Sequence, residues 1–414
     1  MPLKPTRSTR RPKIWLTALC LLALAACTTP PPRAPASLFE QDVVAATDGL
    51  VGQWRSNAPL RPRWPASRLA LGPFVDLSAN LARPGPAFAQ QQSVAAVRAR
   101  QMVARHVVEL QAEFQLVSTA ADSSAPADLL LSASLIPVVL AGEPLAANPT
   151  LMLTLVLLDI KTRTVVARWQ NPLRSQVADT YPSAFEGESP VLPNRTPTDA
   201  RTDLYRAPVN TVVDAATLGE ALGLTRLSQA QAAYAAGNYP EALAGFQEVA
   251  AKSPDLALRA YNGQYLSYLK LDQPEAARQA FKRVVAAGFA SRRLAVKLLF
   301  APGQTEFWSD PEVSGAYGFW LQEIAAQAVA ASTCLEVAGH TSHSGEETFN
   351  ADLSLARGER VRQVMLASRP PLASRLKARG KGWSENIVGS GTDDARDAID
   401  RRVEFKIVDC ARKP

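Results

Sequence analysis

The sequence predicts an α+β protein made of several domains. Three stretches support this: an N-terminal one that alternates apolar strands with an amphipathic helix, a helical one that repeats, and a C-terminal one that again alternates strands and helices. The chain has 414 residues, more than a single domain usually contains. We predict an α/β sheet domain over 38–210, helical repeats over 216–290 and a β-α-β-α-β domain over 294–412.

The first 26 residues have the composition of a secretory signal. Five basic and no acidic residues lie in 1–13, an apolar run fills 14–26, and Cys27 follows Leu24-Ala25-Ala26. This run is too short for a bilayer core, which takes about 20 helical residues. The alternative, a buried helix or short membrane anchor, is disfavoured because three prolines follow at 30–32.

The segment ending in Cys27 resembles the lipobox of bacterial lipoproteins. The resemblance implies that signal 1–26 is removed, that Cys27 receives a diacylglyceryl group, and that its new amine is acylated, with palmitate for example. Thr28 stands where an aspartate would favour retention in the inner membrane, so the resemblance implies the outer membrane, facing the periplasm. Residues 27–37 then form a lipidated, proline-rich tether.

Charge and cysteine content limit the possible partners. The net charge of +7 lies mostly in the signal, so the exported chain is near neutral and no nucleic-acid partner is predicted. Outside the signal and beyond Cys27, the remaining cysteines are Cys334 and Cys410. An even pair in an oxidising compartment predicts a disulfide between them, with two buried free thiols as the alternative.

The N-terminal domain is predicted from periodicity. The predicted elements are a strand at Arg68–Val75, a helix at Ser93–Phe114, and strands at Leu129–Leu140, Leu151–Ile160 and Thr164–Trp169. The last two strands should form a hairpin, and their apolar character indicates a sheet covered on both faces.

This order resembles the sheet-and-helix domain of periplasmic lipoproteins such as CsgG and LpoB, and the N-terminal domain of TolB. The likeness rests on the runs LALGPFVD, ADLLLSASL and LTLVLLDIKTRTVVA, and it implies no particular site. Residues 171–215, rich in Pro, Thr, Asp and Asn, are predicted to be a long loop or linker.

The middle stretch contains a repeat. The run GNYPEA at 237–242 is followed 34 residues later by LDQPEA at 271–276, and 34 residues is the period of the tetratricopeptide repeat. The residues at that family's spacing are Gly237, Tyr239, Ala242, Phe246 and Pro254. Two units are fewer than the three usually required, so an ordinary helical spacer docked on a neighbouring domain remains the alternative.

The C-terminal stretch carries the most specific pattern. The predicted elements are strands at Lys297–Phe300, Leu335–Gly339, Leu376–Gly380 and Arg402–Val408, and helices at Gly315–Ala331 and Ala351–Ser368. Four blocks resemble the OmpA-like peptidoglycan-binding domain: VAGHTSHSG from 337, Asn350 with LSLAR at 353–357, GKG at 380–382 and DRRVEF at 400–405. The resemblance implies non-covalent binding of the peptidoglycan stem peptide through its diaminopimelate.

Diaminopimelate ends in a carboxylate and an ammonium group, and the planar fork of arginine suits the carboxylate. The resemblance assigns this role to Arg357, with Arg401, Thr341 and Leu353 completing the site. On a helical wheel Arg357 lies within the apolar stripe, but Arg360 lies near it too, so the wheel does not choose between them. Ser342 replaces the family's aspartate, which predicts weaker or altered binding.

We predict a protein that is not an enzyme and uses no cofactor, because no metalloprotease, serine-hydrolase, phosphate-loop or C-x-x-C motif is present. His340 and His343 lie three residues apart but lack a ligand pattern, so no metal is predicted. The predicted function is an outer-membrane lipoprotein that binds peptidoglycan and links membrane to wall. The alternative is a periplasmic adaptor that recruits a secretion or wall-synthesis protein partner through the α/β and repeat domains.

Overall fold

A computed structural model describes residues 37–57, 66–77, 94–117, 126–138, 150–174, 185, 188–191, 204–292, 294, 296–386 and 400–410. The predicted signal, Cys27 and nearly all of the tether lie outside the described residues. Within these ranges, no helix combines the length and the apolar character that crossing a membrane requires.

The N-terminal part contains a five-stranded mixed sheet in the order β2-β1-β3-β4-β5. Its strands are β1 (Ser67–Asp76), β2 (Phe114–Leu116), β3 (Leu129–Val138), β4 (Thr150–Asp159) and β5 (Thr164–Leu173). Strand β1 is parallel to β2 and β3, whereas β3, β4 and β5 are successively antiparallel. The predicted hairpin of β4 and β5 is therefore present.

Two helices, α1 (Leu38–Asn57) and α2 (Val94–Glu109), share an apolar cluster with one face of this sheet. Helix α1 was not predicted, although its buried apolar residues have helical spacing; they are Phe39, Val43, Ala46 and Leu50. Helix α2 ends before Phe114, which the prediction placed in the helix. Phe114 instead pairs with Ser67 in the parallel ladder, where the sheet buries its ring.

Four consecutive helices follow: α3 (Ala215–Ala235), α4 (Tyr239–Lys252), α5 (Ala257–Lys270) and α6 (Pro274–Ala290). Glycines permit the close approach of neighbouring helices. A Cβ on Gly245 would lie 2.8 Å from the Cβ of Ala230, and a Cβ on Gly263 would lie 2.4 Å from the Phe246 ring. The segment predicted as a linker also contributes to the packing, since Phe185 and Tyr205 are buried.

The C-terminal part comprises α7 (Pro311–Ser314), α8 (Tyr317–Ala330), β6 (Cys334–Gly339), α9 (Glu347–Ser368), β7 (Leu376–Gly380) and β8 (Val403–Val408). Its sheet has the order β7-β6-β8, with β6 parallel to β7 and antiparallel to β8. The predicted disulfide joins Cys334, where β6 begins, to Cys410, beyond the end of β8.

The strand predicted at Lys297–Phe300 is reduced to isolated bridges. Val296 pairs with Val191, and Phe300 pairs with Phe307. The chain reverses between Phe300 and Phe307, where Gly303 has a φ of +66°. The Phe300 amide also donates a 3.4 Å hydrogen bond to the carbonyl of Arg401, just before β8.

The four-helix region and the C-terminal sheet share one hydrophobic core. Trp320 of α8 stacks on Phe281 of α6, with 5.6 Å between ring centroids, and its indole N–H donates to the Tyr265 hydroxyl at 3.0 Å. The helices thus pack directly on the domain that carries the predicted site.

Candidate functional site

Helix α9 lies unusually close to strands β6 and β7, because glycines line the contact. A Cβ on Gly339 would lie 1.9 Å from the Ser354 carbonyl oxygen, and one on Gly358 would lie 2.9 Å from the Val337 carbonyl oxygen. The Ser354 hydroxyl stabilises the contact, since it accepts a 2.9 Å hydrogen bond from the Gly382 amide. The spacing of these glycines therefore sets the position of Arg357 on α9.

The Gly-His-Thr turn at the end of β6 is held by main-chain bonds on both sides. The His340 amide donates to the Arg402 carbonyl at 2.8 Å, and the Thr341 amide donates to the Gly382 carbonyl at 2.9 Å. The turn is thereby joined to the segments that follow β7 and precede β8.

Two residues that the sequence did not single out support the same turn. Asn386, with its amide oriented to satisfy both neighbours, donates to the Thr341 carbonyl at 2.8 Å and accepts the His343 amide at 3.1 Å. The His343 ring meets Trp383 edge to face, with centroids 4.7 Å apart. The Gly-Lys-Gly run before Trp383 was the only sequence signal for this support.

Arg357 is completely buried, with 0% of its surface exposed. Its guanidinium donates to three main-chain carbonyls, those of Gln304 at 2.9 Å, Ala301 at 3.0 Å and His340 at 3.2 Å. The guanidinium carbon also lies 5.2 Å from the centroid of the Phe300 ring, a cation–π geometry. The resemblance assigns a ligand carboxylate to this guanidinium. In this conformation the guanidinium instead binds main-chain carbonyls of the 301–304 loop.

The other predicted site residues surround the same end of the sheet. Ser342 and Arg401 are only 5% and 3% exposed, and Thr341 is buried. The Ser342 hydroxyl lies 3.4 Å from that of Ser344. Leu353 is half-buried one helical turn before Arg357. Four of the five predicted residues are therefore shielded from solvent: Thr341, Ser342, Arg357 and Arg401.

The electrostatics beside this turn keep His340 neutral. Burial lowers its pKa well below the usual range, and the nearby cations of Arg402, Lys406 and Lys381 lower it further. Burial raises the pKa of Glu404, whose carboxylate pairs with Arg402 and lies 3.9 Å from His340 Nε2. In the described part of the chain, no three His, Cys, Asp or Glu side chains cluster as metal ligands would.

A helix held by glycines on a small mixed sheet, with an arginine buried beside a Gly-His-Thr turn, defines the C-terminal region as an OmpA-like domain. Residues 299–400 match the OmpA family. Outer membrane porin F of Pseudomonas fluorescens is 38% identical over 76 residues, which are 18% of this chain and 23% of that relative. The chain therefore spans about a quarter of the curated relative that it matches.

Two similar solved structures each cover less than a third of the chain. The peptidoglycan-associated lipoprotein of Burkholderia pseudomallei is 19% identical. The alignment covers 27% of this chain and 89% of the lipoprotein structure, with a TM-score of 0.24. The cell wall anchor of the T6SS from Pseudomonas aeruginosa is 20% identical. The alignment covers 31% of this chain and 96% of the anchor structure, with a TM-score of 0.24.

Proposed function

We propose that this chain is a lipoprotein of the outer membrane that binds peptidoglycan non-covalently and so links the membrane to the wall. The observation that carries the proposal is the Ser342 to Arg357 spacing, which keeps the OmpA-like pattern inside the matched region. Ser342 follows the end of β6 and Arg401 precedes the start of β8, which lie at the same end of the sheet, and this also supports the proposal.

The proposed ligand is the diaminopimelate end of a stem peptide. Its carboxylate would pair with Arg357, and because that side chain is fully buried, the 301–304 loop must shift to admit it. The ligand ammonium would meet the Ser342 hydroxyl, a neutral acceptor. Phe349 is 56% exposed one turn before Leu353, where it offers an apolar contact to the peptide.

Ser342→Asp tests this assignment. The new carboxylate should tighten binding about fivefold, because a charge-assisted hydrogen bond contributes roughly 1 kcal/mol more than a neutral one. The measurement is co-sedimentation of the full-length chain, in detergent, with isolated diaminopimelate-containing peptidoglycan. Ser56→Asp, on helix α1, is the matched control and should leave binding unchanged.

Free diaminopimelate should displace the wild-type chain from the pellet. A wild-type chain that stays in the supernatant, or whose pelleting free diaminopimelate does not reduce, would refute the proposed ligand. Unchanged affinity of Ser342→Asp would refute only the role of Ser342.

Cys27→Ser tests the lipid anchor. The variant should lose incorporation of labelled palmitate and leave the outer-membrane fraction, because stable attachment depends on the acyl chains. Cys20→Ser, which alters a cysteine inside the predicted signal, should keep both properties. Equal labelling of the two variants would show that Cys27 is not the lipidated residue.

A second candidate function is that of an adaptor that recruits another protein. It is supported by the four consecutive helices α3 to α6, whose close packing at Gly245 and Gly263 fits the 34-residue repeat in the sequence.

A further inference from the structure

Strand β7 is an outer strand of the C-terminal sheet, because the sheet has the order β7-β6-β8. The other outer strand, β8, is engaged by the chain that precedes the domain, since the Ile407 carbonyl accepts a 3.4 Å hydrogen bond from the Arg292 guanidinium. In the described part of the chain, no strand lies beside β7 on the side away from β6. We call this the free side of β7.

The main-chain groups of β7 alternate between β6 and the free side. The Lys381 amide donates to the Gly339 carbonyl of β6 at 3.0 Å, so the odd-numbered residues of this run bond to β6. The amides and carbonyls of Ala378 and Gly380 therefore point to the free side. No described group forms a hydrogen bond with these four groups, which we name the β7 edge.

Helix α9 runs beside the β7 edge. Arg362 Nε donates to the Leu376 carbonyl, which also points to the free side, at 3.0 Å. A Cβ on Gly380 would lie 2.9 Å from the amide nitrogen of Leu355. Leu355 and Arg362 are about two helical turns apart, so both lie on the same side of α9. Leu355 is 42% exposed and offers an apolar contact beside the edge.

The opposite face of β7 is cationic. Successive side chains of a strand point to opposite faces, so those of Lys377 and Arg379 point away from α9. Both residues are exposed. The Arg379 side chain lies 3.2 Å from the Glu336 carboxylate and remains 65% exposed. Lys377 forms no ion pair within the described ranges. An open row of main-chain groups thus lies between an apolar contact and two cations.

We infer that the β7 edge is a docking site for an extended segment of a partner protein, which adds to the sheet as a further strand. The side chains of such a segment alternate, so apolar residues would face Leu355 and acidic residues would face Lys377 and Arg379. A second copy of the chain fits poorly, because two paired β7 edges would bring these cations together. The inference is independent of peptidoglycan binding.

The peptide TEVEVEVT is the probe, and the measurement is amide hydrogen exchange of the full-length chain in detergent, resolved to single residues. Saturating peptide should slow exchange of the Ala378 and Gly380 amides about tenfold or more, because both become donors to the added strand. The Lys377 and Arg379 amides, which already bond to β6, are the internal control and should change less. Unchanged exchange at Ala378 and Gly380 would overturn the strand addition.

Two controls test the chemistry of the ligand. The peptide TEEEVVVT has the same composition without the alternation, and it should leave the exchange of the β7 edge unchanged. The peptide TKVKVKVT keeps the alternation but carries cations, and it should not bind. Protection by all three peptides would overturn the alternating acidic ligand.

Charge reversal then locates the acidic contacts. The Lys377→Glu, Arg379→Glu double variant should bind fluorescein-labelled TEVEVEVT about tenfold more weakly by anisotropy, because two attractive contacts become repulsive. The matched control is Arg360→Glu, Arg283→Glu. Arg360 is exposed on another side of α9 and Arg283 is exposed on α6, so this variant should bind as the wild type does. Equal weakening of both variants would overturn the assignment of Lys377 and Arg379.

Two further outcomes would assign the β7 edge to another occupant. Slower exchange at Ala378 when the concentration of the chain alone is raised, with a dimer in sedimentation, would overturn the partner protein in favour of a second copy. Protection that phosphatidylglycerol in the micelles produces and the peptide does not would overturn it in favour of a membrane surface. Because these assays contain no peptidoglycan, their failure is distinguishable from failure of wall binding.

Discussion

Arg357→Met is expected to lower the free energy of unfolding by about 3–5 kcal/mol. Methionine can fill much of the volume, but it cannot donate to the carbonyls of Ala301, Gln304 and His340, which the arginine holds. Each buried acceptor left unpaired costs roughly 1–3 kcal/mol, and the contact with Phe300 is also lost.

Guanidinium unfolding followed by tryptophan fluorescence measures this loss. Arg360→Met is the matched control, since Arg360 is exposed on the same helix, and its effect should stay within about 0.5 kcal/mol. Similar small effects of both variants would show that the three carbonyls do not depend on Arg357, and that its fork is available to a ligand without structural cost.

The expected instability changes how binding experiments on Arg357 should be interpreted. A variant that fails to bind peptidoglycan could have lost either a ligand contact or the position of the 301–304 loop. Ser342→Asp avoids this ambiguity, because it leaves in place Arg357 and its hydrogen bonds to the 301–304 loop. The gain of affinity expected there is the more specific sign of a diaminopimelate site.

The sequence singled out Arg357 but did not predict which groups its guanidinium contacts. Helical spacing placed Arg357 in an apolar stripe, where a cation requires partners. Those partners include the carbonyl of Gln304, which is 53 residues away in the chain. Local periodicity contains no information about such a contact, and main-chain carbonyls have no residue signature. The burial of the arginine could therefore be found only in the structure.

The same limit explains the differences in the fold. Strands β6 and β7 were predicted well because each is a short apolar or alternating run that ends at glycine. Lys297–Phe300 is also a short, mostly apolar run, yet it forms an isolated bridge, between Phe300 and Phe307, in place of a ladder. Phe185 lies in a stretch whose composition indicates a loop, yet its ring packs on Phe246 and Tyr234, which belong to helices distant in the chain.

Gly339→Ala is expected to destabilise the C-terminal domain by about 4 kcal/mol or more. The added Cβ would lie 1.9 Å from the Ser354 carbonyl oxygen and 2.9 Å from its carbonyl carbon. These are main-chain atoms of α9, so no side-chain rotation relieves the overlap, and the helix must move away from β6. The movement would carry Arg357 away from the His340 carbonyl that it holds.

Gly318→Ala separates this overlap from the general effect of replacing glycine in a regular element. Nothing lies within 4 Å of a Cβ at Gly318, on the exposed side of α8, so alanine should raise stability by about 0.5–1 kcal/mol. Thermal unfolding monitored by circular dichroism should therefore move in opposite directions for the two variants. A stable Gly339→Ala would mean that α9 can sit farther from the sheet. The glycine of the Gly-His-Thr turn would then not be what fixes the distance between Arg357 and the rest of the site.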